Sequence, residues 1–269
     1  MLISNKPLCG VIFRVLAFSF LLSFQSSLSA QENRDIEVWQ YRHVPDNKRD
    51  EFIKRETTYW SKVAESAAKQ KKMTFWALLE KVGGYDLPNS SNFLFINTFP
   101  NIDDVGDVFT NSKIESITGV KMAAMETGSM STVTSEFYLH GENWAQHEKA
   151  VPEKDFKYIV MNYQNTDYPD SMINLEKMHW QPFIQKAMNA NQTPQKGWGN
   201  AIVLAPAGDN IKFTTVSYDL FPTLHDALYP KWAPNMVFPA SGLELIGKIA
   251  MNRRGISVYR IVKVVQSPQ

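Results

Sequence analysis

The chain has 269 residues, 44% of them hydrophobic and 20% charged, enough apolar material for one large domain or two of ordinary size. Twenty-eight basic residues against 27 acidic ones give a formal charge of +1, and no basic run is interleaved with aromatics. That balance excludes nucleic acid and an anionic membrane surface as partners recognised by charge.

Lys6 and Arg14 flank or interrupt the start of an apolar run, Val15 to Leu22, and Ser-rich residues with Ala30 follow. A positive region, a short apolar region and small residues predict a secretory signal over residues 1–30, cleaved after Ala30 or Ser29. The run is too short for a membrane span of about 20 residues. Cleavage removes Lys6, Arg14 and the only cysteine, Cys9, and leaves a charge of −1. The expected mature protein is periplasmic or extracellular, free of the membrane, and without disulfide or thiol chemistry.

Residues 36–43 (I-E-V-W-Q-Y-R-H) have strand composition. Asp46 or Asp50 offers an N-cap for a helix reaching about Lys71, with Phe52, Ile53, Trp60, Val63, Ala64 and Ala67 on one stripe. Strands are predicted over 74–81 and 92–99, joined through Gly83-Gly84 and Pro88-Asn89-Ser90, then a partly helical stretch over 103–125 and a strand over 132–139. A polar linker, 146–155, centres on Pro152.

The same order then recurs. A strand is predicted over 156–163 and a helix from Pro169 to about Ala190, where Pro182 removes one backbone hydrogen bond and should kink it. Strands follow over 198–204 and 212–219, then a Pro-interrupted helical region from Leu224 and a last strand over 256–265.

Particular residues recur too. Asp50, Ile53, Glu56 and Trp60 return as Asp170, Ile173, Glu176 and Trp180, at an offset of 120. Trp76, Phe99, Pro100 and Asp104 return as Trp198, Phe221, Pro222 and Asp226, at an offset of 122. Two constant offsets separated by one two-residue insertion predict an internal duplication. The fold class is α+β: two tandem ferredoxin-like βαββαβ domains, residues 33–145 and 156–266, with their sheets packed face to face. On this order and duplication the chain resembles the dimeric α+β barrel superfamily, as a pseudo-dimer fused in one chain. The resemblance implies cofactor-free monooxygenases, small isomerases and haem enzymes among its relatives, and a ligand cleft between helix and sheet. It fixes no activity by itself.

Glu56 and Glu176 lie on the apolar stripes of their helices, where a carboxylate must be paired, hydrogen-bonded or protonated. His179 follows Glu176 by three residues, a spacing that suits an acid–base pair. The other histidines show no metal-ligand spacing, and neither a metal nor a cofactor is predicted. Trp60, Trp76, Trp180 and Trp198 are ligand-binding candidates, with core packing as the default role of such large indoles. Gly197 and Gly199 flank Trp198 and should leave room beside it, whereas Phe75 and Ala77 flank Trp76. Asn200 and Tyr163 are further ligand-binding candidates on strands. The second-copy cleft of Glu176, His179, Trp180 and Trp198 is therefore the expected working site. The expected function is an exported protein that holds a small, partly apolar or aromatic molecule. A cofactor-free oxygenase or isomerase using Glu176 or His179 for proton transfer is the alternative, and a haem-binding relative is a further one.

Overall fold

A computed structural model describes residues 35–83, 90–108, 111–208, 211–250 and 254–267. The predicted signal segment lies outside them, as does Gly84 to Asn89 of the first hairpin turn. Among the described residues no helix is long and apolar enough to cross a membrane.

The first half runs β1 (Ile36–His43), α1 (Arg49–Arg55), a π-helical turn (Glu56–Trp60), α2 (Ser61–Lys69), β2 (Phe75–Lys81) and β3 (Phe93–Phe99). Short helices α3 (Val105–Val108), α4 (Asn111–Thr118) and α5 (Met122–Met125) lead into a long β4 (Thr132–Gln146). After α6 (Pro152–Asp155) come β5 (Tyr158–Gln164), α7 (Pro169–Leu175), a second π-helical turn (Glu176–Trp180) and α8 (Gln181–Asn189). The chain closes with β6 (Gly197–Ala205), β7 (Thr215–Phe221), α9 (Leu224–Leu228), α10 (Ala240–Ile249) and β8 (Arg254–Gln266).

All eight strands form one closed barrel in the order β1-β3-β2-β8-β5-β7-β6-β4. One continuous barrel thus stands where two separate sheets packed face to face were expected. β8 pairs with both β5 and β2, and β4 pairs with both β1 and β6. That double duty explains why β4 and β8 outrun their predicted lengths. The strand predicted to end at Leu139 continues to Gln146, the first residue of the predicted linker, because this stretch pairs with β6.

Side chains alternate across the barrel wall. Trp39, Tyr41, Ala77, Leu79, Leu94, Ile96, Met161, Val216 and Tyr259 fill the interior. Outside, α1, α2 and α4 cover the first half through Phe52, Val63, Ala67 and Ile114, packed on Phe93 of β3. On the second half, Ile184, Ala187 and Met188 of α8 pack on Trp198. Each large side chain so buried stabilises the fold by about 1.5–3 kcal/mol.

The strand registers repeat from half to half. Trp76 stands opposite Asn97, and Trp198 opposite Asp219; Gln40 stands opposite Phe95, and Asn162 opposite Ser217. At the meeting of the halves, inside the barrel, Tyr41 Oη donates to Tyr163 Oη at 3.1 Å.

Candidate functional site

Both long helices are interrupted at the glutamate. The π-helical turns start at Glu56 and Glu176 and end at Trp60 and Trp180. Such turns admit one extra residue, re-aim the side chains that follow, and occur often at functional sites. Pro182 is not their cause, because the first half has Lys62 at that position and carries the same turn.

In the first half the turn borders a cavity of about 440 Å³ between helix and sheet. Glu56, Trp60 and Ala64 line it from the helix, Val38, Gln40 and Arg42 from β1, and Trp76, Phe95 and Asn97 from β2 and β3. Glu136 and Tyr138 of β4 and Thr127 complete the wall. Glu56 is buried, and its Oε1 accepts from Thr127 Oγ1 at 2.6 Å. Burial raises the Glu56 carboxyl to about 7, against the opposing effects of the Thr127 hydroxyl and the Arg42 charge. Trp60 Nε1 donates to the Met125 carbonyl at 3.0 Å, which fixes its indole.

Arg42 is braced on three sides. Its Nε donates to Gln40 Oε1 at 2.6 Å and its Nη1 to Ser131 Oγ at 3.2 Å. Its guanidinium carbon lies 5.1 Å from the Phe95 ring centre. Desolvation lowers its pKa, and the charges of Glu56 and Glu136 oppose that. At the exposed rim, Glu136 accepts from Gln40 Nε2 at 2.7 Å and from Tyr138 Oη at 3.3 Å.

The second half uses the corresponding gap differently. Glu176 is buried and accepts from Asn200 Nδ2 at 2.7 Å and from Gln164 Nε2 at 3.3 Å. Asn200 Oδ1 in turn accepts from Asn143 Nδ2 at 3.0 Å. Asp219, the counterpart of Asn97, accepts from Asn162 Nδ2 and Gln195 Nε2, and burial raises its carboxyl to about 6. Amide side chains therefore surround the second glutamate, where the first borders an open cavity.

The structure brings Glu56, Trp60 and Trp76 to one cavity. Trp198 is buried under α8, while Trp180 joins Phe183 and Trp232 in an aromatic cluster. Tyr163 lies on the barrel's interior side, away from the sheet face that carries Trp198 and Asn200. His179 is half-exposed, and its Cβ and ring press on Gly242 of α10, whereas Glu176 turns to the sheet.

The expected room beside Trp198 requires correction. Neighbours on a strand point to opposite faces, so Gly197 and Gly199 face the barrel interior while Trp198 faces the helix. Tyr218 covers Gly199 and Leu220 covers Gly197, so a Cβ at either position would meet them at 2.6–2.7 Å. The glycines admit these neighbours, not a ligand.

Sequence reasoning missed Arg42, Gln40, Thr127 and Glu136. One signal was available: Arg42 and Gln164 stand at the 122 offset, a charge in one half where the other has an amide. Among the described residues lining the cavity there is no histidine, so an axial imidazole for haem is lacking there. No group of three or more His, Cys, Asp or Glu able to hold a metal occurs among the described residues.

No family model matches the chain, and no curated protein matches it. Solved structures do. A proposed monooxygenase from Lactobacillus acidophilus NCFM superposes with a TM-score of 0.57 at 9% identity, over 87% of this chain and 96% of that one. The chain has the dimeric α+β barrel fold. An anthrone oxidase-like protein gives 0.55 at 12% identity, over 89% and 96% of the two chains. A proposed monooxygenase from Fusobacterium nucleatum gives 0.55 at 6% identity, over 86% and 94%. At such identities the likeness establishes architecture alone.

Proposed function

We propose that this dimeric α+β barrel protein binds a small, partly aromatic molecule in the first-half cavity. The observation that carries the reading is the cavity itself. Its walls are Trp60, Trp76, Phe95 and Phe99, and its polar groups, Glu56, Arg42, Gln40 and Asn97, converge on one volume. The second-half cluster of Glu176, Trp180 and Trp198 is assigned to holding the fold. The chain is further proposed to consist of two fused ferredoxin-like halves, supported by the repeated registers and by the Tyr41–Tyr163 contact. Export through residues 1–30 belongs to the same proposal. It is tested by the N-terminal sequence of the protein taken from its host, expected at Ala30 or Gln31.

A second reading is favoured by one specific observation. A carboxyl held near 7 on a cavity wall is suited to take a proton from a bound molecule at neutral pH. Glu56, and not the Glu176–His179 pair, is then the candidate base of a cofactor-free oxygenase or isomerase.

Ala64 tests the cavity. It is buried, lines the space, and a larger side chain there would extend into it. Native mass spectrometry of the protein from its own host should show one small molecule per chain. Ala64→Leu should abolish it while keeping the melting temperature. Retention of the molecule by Ala64→Leu would place the site elsewhere.

A further inference from the structure

We propose that the first-half cavity selects an aromatic monocarboxylate, with Arg42 as the group that receives the carboxylate. This deepens the binding reading above and rests on it. Arg42 is the only cationic side chain among the described residues lining the cavity. Its Nε and Nη1 are engaged by Gln40 and Ser131, and its guanidinium carbon lies 5.1 Å from the Phe95 ring centre, which holds the group in place and leaves Nη2 and the second N–H of Nη1 as donors for an incoming acceptor. A planar fork with parallel N–H donors matches a carboxylate in geometry and charge.

The neighbouring acids, Glu56 and Glu136, act on that charge but make no hydrogen bond to Arg42. Thr127 donates to Glu56, and Gln40 and Tyr138 donate to Glu136 at the rim, so each has a hydrogen-bonding partner of its own. A doubly charged phosphate would crowd both of these acids and has one arginine to meet it. A single carboxylate on an aromatic ring suits one arginine set among Trp60, Trp76 and Phe95.

The second half provides an internal control. Where the cavity exists the residue is Arg42; where amides surround the glutamate the equivalent residue is Gln164, which donates to Glu176. The positive charge goes with the open volume.

The test compares 2-naphthoate with 2-naphthamide, which share ring and shape and differ in charge, by calorimetric titration at pH 7. Wild-type protein should bind naphthoate at least tenfold more tightly than naphthamide, with one molecule per chain. Arg42→Gln should bring the two within about twofold of each other. Arg42→Lys should keep the preference in weakened form, and it serves as the test if circular dichroism shows Arg42→Gln to be unfolded. Equal affinities for the two probes in wild type, or a full preference surviving in Arg42→Gln, would overturn the carboxylate assignment and leave the cavity reading intact. An unweakened preference in Arg42→Lys would equally count against bidentate recognition. Binding of neither probe at millimolar concentration, or binding unaffected by Ala64→Leu, would overturn the cavity reading as well.

Discussion

Glu56 and Glu176 open the same kind of turn in corresponding helices, yet one borders a cavity and the other is enclosed by amides. The helices barely differ in design. The partners on the sheet do: Arg42, Leu78 and Phe95 in the first half stand where Gln164, Asn200 and Ser217 stand in the second. Asn200 and Gln164 reach Glu176 where Leu78 and Arg42 stand in the first half, and these two exchanges give each carboxylate oxygen an amide donor. Features common to both halves therefore report on the scaffold, and the differences between them report on the site.

Truncating the two tryptophans is the strongest way to break this comparison. Trp76→Ala and Trp198→Ala should each cost about 3–5 kcal/mol in urea unfolding, since both indoles are buried. Only Trp76→Ala should also remove ligand binding. Comparable loss of binding from Trp198→Ala would return the site to the second half.

Removing the carboxylates should separate the halves in the opposite sense. Glu176→Ala strips an acceptor from the Asn200 and Gln164 amides and should cost about 2–4 kcal/mol. Glu56→Gln, beside open volume, should cost less than about 1 kcal/mol at neutral pH. A reversed ranking would show that Glu56 is the structural member of the pair.

Titration sharpens the same contrast. The folded-state value of Glu56, about 7, lies above its ordinary range, so the folded protein holds that proton more tightly than the unfolded chain. Its effect on stability is most favourable below about pH 4, weakens as pH rises, and levels off above about pH 7, a change of roughly 3–4 kcal/mol. Asp219 acts with the same sign but finishes near pH 6. Arg42 and Thr127 are the groups facing Glu56 that oppose the rise. Urea midpoints from pH 4 to 8 should therefore fall, and Glu56→Gln should remove the part between pH 6 and 7. An unchanged slope there would assign that proton to another group.

The smallest expected effect concerns Gly199. A methyl there meets the Tyr218 ring, which can turn aside, so Gly199→Ala should cost about 1–2 kcal/mol without altering ligand binding. A gain in stability would mean the space beside it is empty after all.

Much of this was legible from residue pattern. β1 begins and ends where its β-branched and aromatic run does, and the stripe containing Phe52, Val63 and Ala67 marks the face that packs. The carboxylate of the cavity was found because Glu56 interrupts that stripe. The π-helical turn was not visible, since the steps of four and three from Phe52 through Glu56 and Trp60 to Val63 fit an uninterrupted α-helix as well. Arg42 and Thr127 were missed because they reach Glu56 from other parts of the chain, Thr127 from 71 residues away. The glycines beside Trp198 misled because adjacency in sequence on a strand means opposite sides of the wall.

The two long strands have a consequence for the molecule's survival. β4 and β8 each lend their length to the neighbouring half, so neither half keeps a complete set of paired edges without the other. A nick between Gln146 and Asp155 should leave both fragments clasped together. Loss of one fragment would bare the outer strands of the other, turning a sealed wall into a template for foreign chains or for a second copy of itself.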